Sequence, residues 1–243
     1  MKKYLFISTT GVFYPYHTTD IAEDGPIGTI EDPETETVDY RTYGALKALC
    51  EQVTREAFPE SNLVIRPTYI FGPGDRSDRF TYWTVRIDRG GEVLAPGNPN
   101  DATQYIDVRD LTRFIIQLLE REISGTFHVV GQEAKRSLSE LLHGVKAITT
   151  SNAQFTWVDT DFLVAQGFQE FTFWEPPQGD TMGMMRIDGS KAFTHGLSVR
   201  PLAETAKDTL DWFKQLPFER RAAMRAGLTP DREKELLQKY RQR

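Results

Sequence analysis

RTYGALKALCEQVTREAFPESNLVIR, residues 41–66, sets one helical period beside one apolar run. Leu46, Leu49, Cys50, Val53 and Ala57 recur at helical spacing over 41–58, and Pro59 closes the helix. Over 62–66, Leu63, Val64 and Ile65 follow one another without polar alternation, as in a strand covered on both faces. Tyr4-Leu5-Phe6-Ile7-Ser8 is a second run of that kind. Between the two, residues 9–39 are rich in Thr, Gly, Pro and acids and are expected to form a loop, with 31–36 solvated. Strand, loop, helix, strand is the unit of a right-handed crossover between parallel strands. The expected fold class is therefore α/β with a doubly wound parallel sheet.

Further along the chain, Gly72-Pro73-Gly74-Asp75 is a break, and 79–89 is expected to be a helix ended by Gly90-Gly91. A short strand is expected at 92–95. Asp107 is placed to cap a helix over 108–122 with Leu111, Ile115, Leu118 and Leu119 inward. A strand is expected over 126–130 and another over 155–158. Ser137-Leu138-Ser139-Glu140 has the capping-box pattern and opens a helix to about Ile148. Residues 176–185 read as a loop and 202–216 as a helix. Thr229-Pro230 starts a last helix, expected to lie mostly in solvent.

Composition excludes several classes of function. The chain has 243 residues and a formal net charge of −6, which counts against binding phosphate backbones or anionic lipid. Three arginines in 219–225 read as a solvated helix face rather than an RNA-binding stripe. One cysteine, Cys50, gives no disulfide framework and points to a reducing, cytoplasmic setting. Four scattered histidines give no metal-ligand spacing. Met1-Lys2-Lys3 before an apolar run faintly resembles a signal peptide, but no cleavage pattern follows, so a mature strand is expected. No run is long enough to span a membrane.

Chemistry enters with Tyr43 and Lys47, four apart and so on one helix face. A phenol is a weak acid, with a reference pKa of about 10. An ammonium one turn away favours the phenolate, and the phenol can then pass a proton to or from a substrate oxygen. Thr9, with Ser8 beside it, lies just past the first strand, where open parallel sheets place ligands, and is the candidate hydroxyl to hold that oxygen. Tyr-x-x-x-Lys arises about 0.4 times by chance in such a chain, so its context decides its meaning.

That context resembles the extended short-chain dehydrogenase/reductases, which include the NAD-dependent epimerases and dehydratases. The resemblance rests on five blocks in family order across about residues 4–215. They are Ile7-Ser8-Thr9-Thr10-Gly11-Val12-Phe13, Tyr43-Gly44-Ala45-Leu46-Lys47, Arg66-Pro67-Thr68-Tyr69-Ile70-Phe71-Gly72-Pro73-Gly74-Asp75, Gln104-Tyr105-Ile106-Asp107-Val108-Arg109-Asp110-Leu111 and Asp188-Gly189-Ser190-Lys191-Ala192. It implies that Tyr43 is the acid/base, Lys47 its electrostatic partner and ribose contact, and Thr9 the orienting hydroxyl. It implies NAD or NADP as cofactor, with Ser8, Tyr43, Lys47, Pro67 and Ile70 as contacts. Thr10, Phe80, Trp83, Gln104 and Tyr105 are the candidate substrate contacts. The implied fold is the carboxyl-terminal part of a Rossmann-like sheet (1–71), a smaller mixed α/β substrate-binding region interleaved with the last sheet elements (72–216), and a helical tail (217–243).

Three departures narrow this expectation. Thr10-Gly11 stands where the family's dehydratases carry an acidic pair, which disfavours elimination of water. Thr103-Gln104 stands where the sugar-nucleotide epimerases carry Arg–Asp, which removes a natural diphosphate grip. No Gly-x-x-Gly-x-x-Gly or Gly-x-Gly-x-x-Gly turn occurs. The chain is thus expected to be a fragment lacking the phosphate-binding half, with the edge of the first strand left open. The expected activity is hydride transfer to or from a small carbonyl or alcohol. The alternatives are a sugar epimerase or a non-catalytic cofactor- or partner-sensing module. The expected partners are a small-molecule substrate and either a second copy or a complementing amino-terminal segment.

Overall fold

The computed structural model describes residues 3–168 and 171–243; Met1 and Lys2, which open the expected first region and the signal-like segment, lie outside it. The chain runs through β1 (Tyr4–Ile7), α1 (Thr42–Ala57), β2 (Asn62–Pro67), β3 (Tyr69–Phe71), α2 (Arg79–Arg89) and β4 (Glu92–Pro96). It continues through β5 (Ala102–Thr103), β6 (Tyr105–Asp107), α3 (Val108–Glu120), β7 (Gly125–Val129), β8 (Arg136–Ser137) and α4 (Leu138–Ala147). The last elements are β9 (Gln154–Val158), α5 (Thr160–Ala165), α6 (Ser190–Thr194), α7 (Leu202–Lys214), α8 (Phe218–Ala222) and α9 (Pro230–Arg241). They form two units. One holds the described residues up to Ile70, with Gln104–Lys135 and Pro177–Val199; the other holds Phe71–Thr103, Arg136–Pro176 and Arg200–Arg243.

In the first unit β1, β2 and β7 form a parallel sheet in the order β1-β2-β7, with Leu5 opposite Leu63 and Ile65 opposite Phe127. All six residues of β2, the middle strand, are buried, as its unbroken apolar run requires. One core gathers Leu63, Ile65 and Phe127 with Leu111, Phe114 and Leu118 of α3 and Ala192 of α6. Asp107 caps α3 by accepting from the Arg109 N–H. Tyr4 and Ser8 donate their N–H groups to Ser61 and Ile65, so the alternate residues Leu5 and Ile7 turn their backbone groups to the open edge of β1.

The apolar stripe of α1 is not its buried face. Gly44, Ala45, Glu51 and Thr54 are buried, while Cys50 and Ala57 are exposed and Val53 is 64% exposed. Charge pairing sets this rotation. Glu51 turns inward to meet Arg66 of β2, with Arg66 Nε on Glu51 Oε1 at 2.8 Å and Nη2 on Oε2 at 2.7 Å. Arg55 Nη2 reaches the same carboxylate at 2.6 Å, and Asn62 Nδ2 donates to Thr54 Oγ1 at 3.2 Å.

In the second unit β4 and β9 pair in parallel, β5 and β8 antiparallel, and α2, α4 and α7 pack on one another. The capping box at Ser137 and Glu140 starts α4. The Thr229 cap and Pro230 start α9, but that helix is not a solvated tail, because Glu233, Leu236 and Leu237 are buried. Glu233 is held by Arg86 Nε at 2.6 Å and by the Leu94 N–H at 3.0 Å, which ties α9 to α2 and β4. Among the described residues no helix is long and apolar enough to cross a membrane.

Candidate functional site

The carboxyl end of β1 is the first element of the site. Ser8 is buried and still paired to β2, its N–H on Ile65 O at 2.7 Å. Thr9 is extended, and its Oγ1 accepts from the Gly11 N–H at 3.0 Å, capping a 3-10 turn over Thr10–Phe13. Thr10 is buried and donates to Pro67 O at 3.4 Å, joining the ends of β1 and β2.

The start of α1 is the second element. Asp39 Oδ1 accepts from the N–H groups of Arg41 and Thr42 at 2.8 and 3.0 Å. These bonds hold the Asp39 carboxyl below the usual carboxylate range. Tyr43 follows, with its N–H on Asp39 O at 2.9 Å and 44% of the residue exposed. A Cβ built on Gly11 would lie 3.2 Å from Thr9 Oγ1 and 3.5 Å from Tyr43 Cε1, so the threonine hydroxyl and the tyrosine ring flank the same glycine. Lys47, one turn on, donates from Nζ to Ile7 O at 2.7 Å and sits 4.3 Å from the centre of the Phe6 ring. It thereby covers one carbonyl of the β1 edge.

Gly44 makes this approach possible. A Cβ there would fall 1.9 Å from the Gly11 carbonyl oxygen, a backbone atom that cannot swing aside. Gly44→Ala is expected to lower stability by about 1–3 kcal/mol through overpacking and to push Tyr43 away from Thr9. Urea melts measure the first effect, and the Tyr43–Thr9 cross-relaxation in an NMR spectrum measures the second.

The remaining sequence candidates divide. Pro67 closes β2 and is buried, and Ile70 is 41% exposed; the Thr68 hydroxyl between them is buried without a hydrogen-bond partner among the described residues. Gln104 spends its amide on a backbone group, donating to Ile187 O and accepting from Ile187 N–H, both at 2.9 Å. Tyr105 is half-buried, and its backbone carbonyl accepts from Gly131 N–H at 2.7 Å. Phe80 and Trp83 are fully buried in the second unit. Phe80 stacks on Phe71 at 4.0 Å, and Trp83 lies against Phe171 at 5.4 Å with Nε1 donating to Thr172 Oγ1 at 2.7 Å. Those two rings give their surface to the core and offer none to a ligand in this structure.

Two residues that matter to the site were not singled out in the sequence. Glu51 and Arg66 hold α1 to β2 one turn beyond Lys47, and both are buried. The available signal was an arginine ending the run Leu63-Val64-Ile65, where a buried strand has to find it a carboxylate.

The family model described as the NAD dependent epimerase/dehydratase family matches residues 1–131. The chain is similar to UDP-N-acetyl-alpha-D-glucosaminuronate decarboxylase of Bacillus cytotoxicus, 21% identical over 233 residues that cover 88% of this chain and 64% of that protein. It is similar to dTDP-4-dehydro-6-deoxy-D-allose reductase of Streptomyces bikiniensis, 30% identical over 113 residues that cover 44% of this chain and 33% of that protein. UDP-glucuronic acid 4-epimerase of Bacillus cereus, solved in complex with NAD, shares the fold with a TM-score of 0.57 at 18% identity, over 88% of this chain and 61% of that one. The chain therefore spans under two thirds of the length of each of these proteins.

Proposed function

The chain belongs to the NAD dependent epimerase/dehydratase family, and from that premise we propose that Thr9, Tyr43 and Lys47 handle the proton in an NAD(P)-linked oxidation or reduction at a sugar carbon. The observation that carries this reading is the convergence of the Thr9 side chain and the Tyr43 ring on Gly11, beside the β1 terminus that Lys47 holds.

The residues fit the nicotinamide end of such a cofactor. Ile70 offers exposed apolar surface, the nearby Thr68 hydroxyl lacks a partner among the described residues, and Lys47 spends one of its three N–H donors on Ile7 O. Lys47, Ser8, Tyr43, Pro67 and Ile70 are the residues that would hold it. When bound, the nicotinamide supplies or takes up the hydride at the substrate carbon. In reduction Tyr43 gives its phenolic proton to the substrate oxygen as the carbonyl becomes an alcohol; in oxidation it takes that proton back. Thr9 donates a hydrogen bond to the same oxygen and fixes its distance from Tyr43. Lys47 places a positive charge one turn from the phenol and steadies the chain beneath it.

The relatives' names favour a nucleotide-linked sugar as substrate over a small free carbonyl. With Gln104 committed to Ile187, the diphosphate needs a grip elsewhere. Reduction or epimerisation is favoured over dehydration, because Thr10 and Gly11 offer no carboxyl group for eliminating water.

The test incubates the protein with NAD+ and UDP-glucuronic acid, where the sugar alcohol is oxidised, and with NADH or NADPH and a dTDP-4-dehydro-6-deoxy sugar, where the carbonyl is reduced. Turnover of either sugar that falls about tenfold or more in Thr9→Ala, with Thr9→Ser retaining most of it, is the expected result. Cofactor and sugar binding without turnover would replace this reading with that of a sensing module.

A further inference from the structure

The second unit contains a cleft of about 370 Å³ that the chemistry above does not use, bounded by the end of α2, the start of β4 and one side of α9. Its two carboxylates are already committed. Glu233 sits between Arg86 Nε and the Leu94 N–H, at 2.6 and 3.0 Å. Glu92 is paired with Arg241 and accepts from Thr156 Oγ1 at 2.6 Å. Nearby carboxylates are taken as well: Asp88 by Lys214 at 2.8 Å, and Glu235 by Arg232 and Lys239 at 2.8 and 2.7 Å.

The lining nevertheless holds four cations, and two of them, Arg89 and Lys234, have no carboxylate within reach among the described residues. This local excess occurs in a chain whose net charge is −6. Arg86 adds a buried element, its side chain only 9% exposed. Its guanidinium donates to Glu233, Gly90 O and Glu92 O, which uses three of its five N–H donors. A guanidinium with donors to spare, lining the same cleft as two uncompensated cations, is complementary to an oxyanion. Pro230 and Leu237 supply apolar wall, and the volume falls in the range of small-molecule sites.

We propose that this cleft binds a small organic oxyanion, a phosphate or carboxylate on a compact carbon skeleton, with the charge between Arg89, Lys234 and Arg86 and the skeleton against Pro230 and Leu237. None of these residues belongs to the Tyr43 site, so the proposal stands or falls independently of the proposed reaction.

Glycerol 3-phosphate, inorganic phosphate and succinate serve as probes, titrated at constant ionic strength set with chloride so that general screening is held fixed. Saturable binding is read by calorimetry and by chemical-shift changes at Arg89, Gly90 and Lys234. The double variant Arg89→Gln/Lys234→Gln alters only exposed side chains and leaves the Arg86–Glu233 pair intact. It is expected to weaken binding by about tenfold or more, with an unchanged circular dichroism spectrum. Binding of the phosphates alone assigns a phosphate ligand; binding of succinate alone assigns a carboxylate. No saturable binding of any probe, or equal affinity in the double variant, overturns the proposal.

Discussion

Tyr43→Phe is expected to lower kcat by about 10²–10⁴-fold while leaving the melting temperature unchanged. The two halves of this expectation come from the same geometry. The ring is located by its contact beside Gly11, by the Tyr43 N–H bond to Asp39 and by the close packing of Gly44, none of which uses the hydroxyl. No hydrogen bond from the Tyr43 hydroxyl occurs among the described residues, so its removal strands no buried partner. Phenylalanine therefore keeps the shape and loses only the proton carrier. Lys47→Met is the contrasting case. It removes the ammonium that holds Ile7 O and so is expected to lower stability as well as turnover. Steady-state rates with the nucleotide sugars, taken beside thermal melts, separate the two variants. A Tyr43→Phe protein within about threefold of the parent rate would take Tyr43 out of the chemistry.

The placement of Thr9, Tyr43 and Lys47 was legible because its information is local. Tyr43 and Lys47 share a face by helical spacing, and Thr9 follows the first strand directly. The sheet was legible for a similar reason: Leu63-Val64-Ile65 is apolar without alternation, and only a strand covered on both faces reads that way. The rotation of α1 was not legible. Periodicity picks out Leu46, Cys50 and Val53, whereas the buried face is chosen by an ion pair to a residue fifteen positions away, and hydrophobic pattern carries no record of such a partner. Aromatic residues posed the same difficulty. Phe80 and Trp83 have the right character for a pocket and the right character for a core, and only Phe71, Phe171 and Thr172 decide between the two. Gln104 could not be read either, because its amide is consumed by a backbone group more than eighty residues away.

Breaking the Glu51–Arg66 pair from one side is expected to cost about 3–5 kcal/mol of stability, more than any other single change proposed in the first unit. Both groups are fully buried and meet through two parallel hydrogen bonds. Glu51→Gln keeps the volume but leaves the Arg66 charge without its counter-ion, and that uncompensated charge carries the penalty. Replacing both residues with apolar ones of similar size, as in Glu51→Leu/Arg66→Met, is expected to recover most of the loss, since desolvation of the pair vanishes along with its attraction. Titration gives an independent readout. Burial pushes the Glu51 carboxyl up, but the Arg66 hydrogen bonds and the charges of Arg66 and Arg55 outweigh it and hold the group below its usual range. A carboxyl lowered in the folded state contributes stability that is complete above its unfolded value of about 4.3 and is lost as pH falls through the lower folded value. Urea melts from neutral pH downward should show this acid loss in the parent protein and a shallower one in Glu51→Gln. Lys47 lies one turn before Glu51, so a loosened clamp should also lower kcat more than it raises KM, because α1 can then rotate Tyr43 away from Thr9. A cost below about 1 kcal/mol in Glu51→Gln would mean that α1 owes its rotation to the Gly11–Gly44 contact alone.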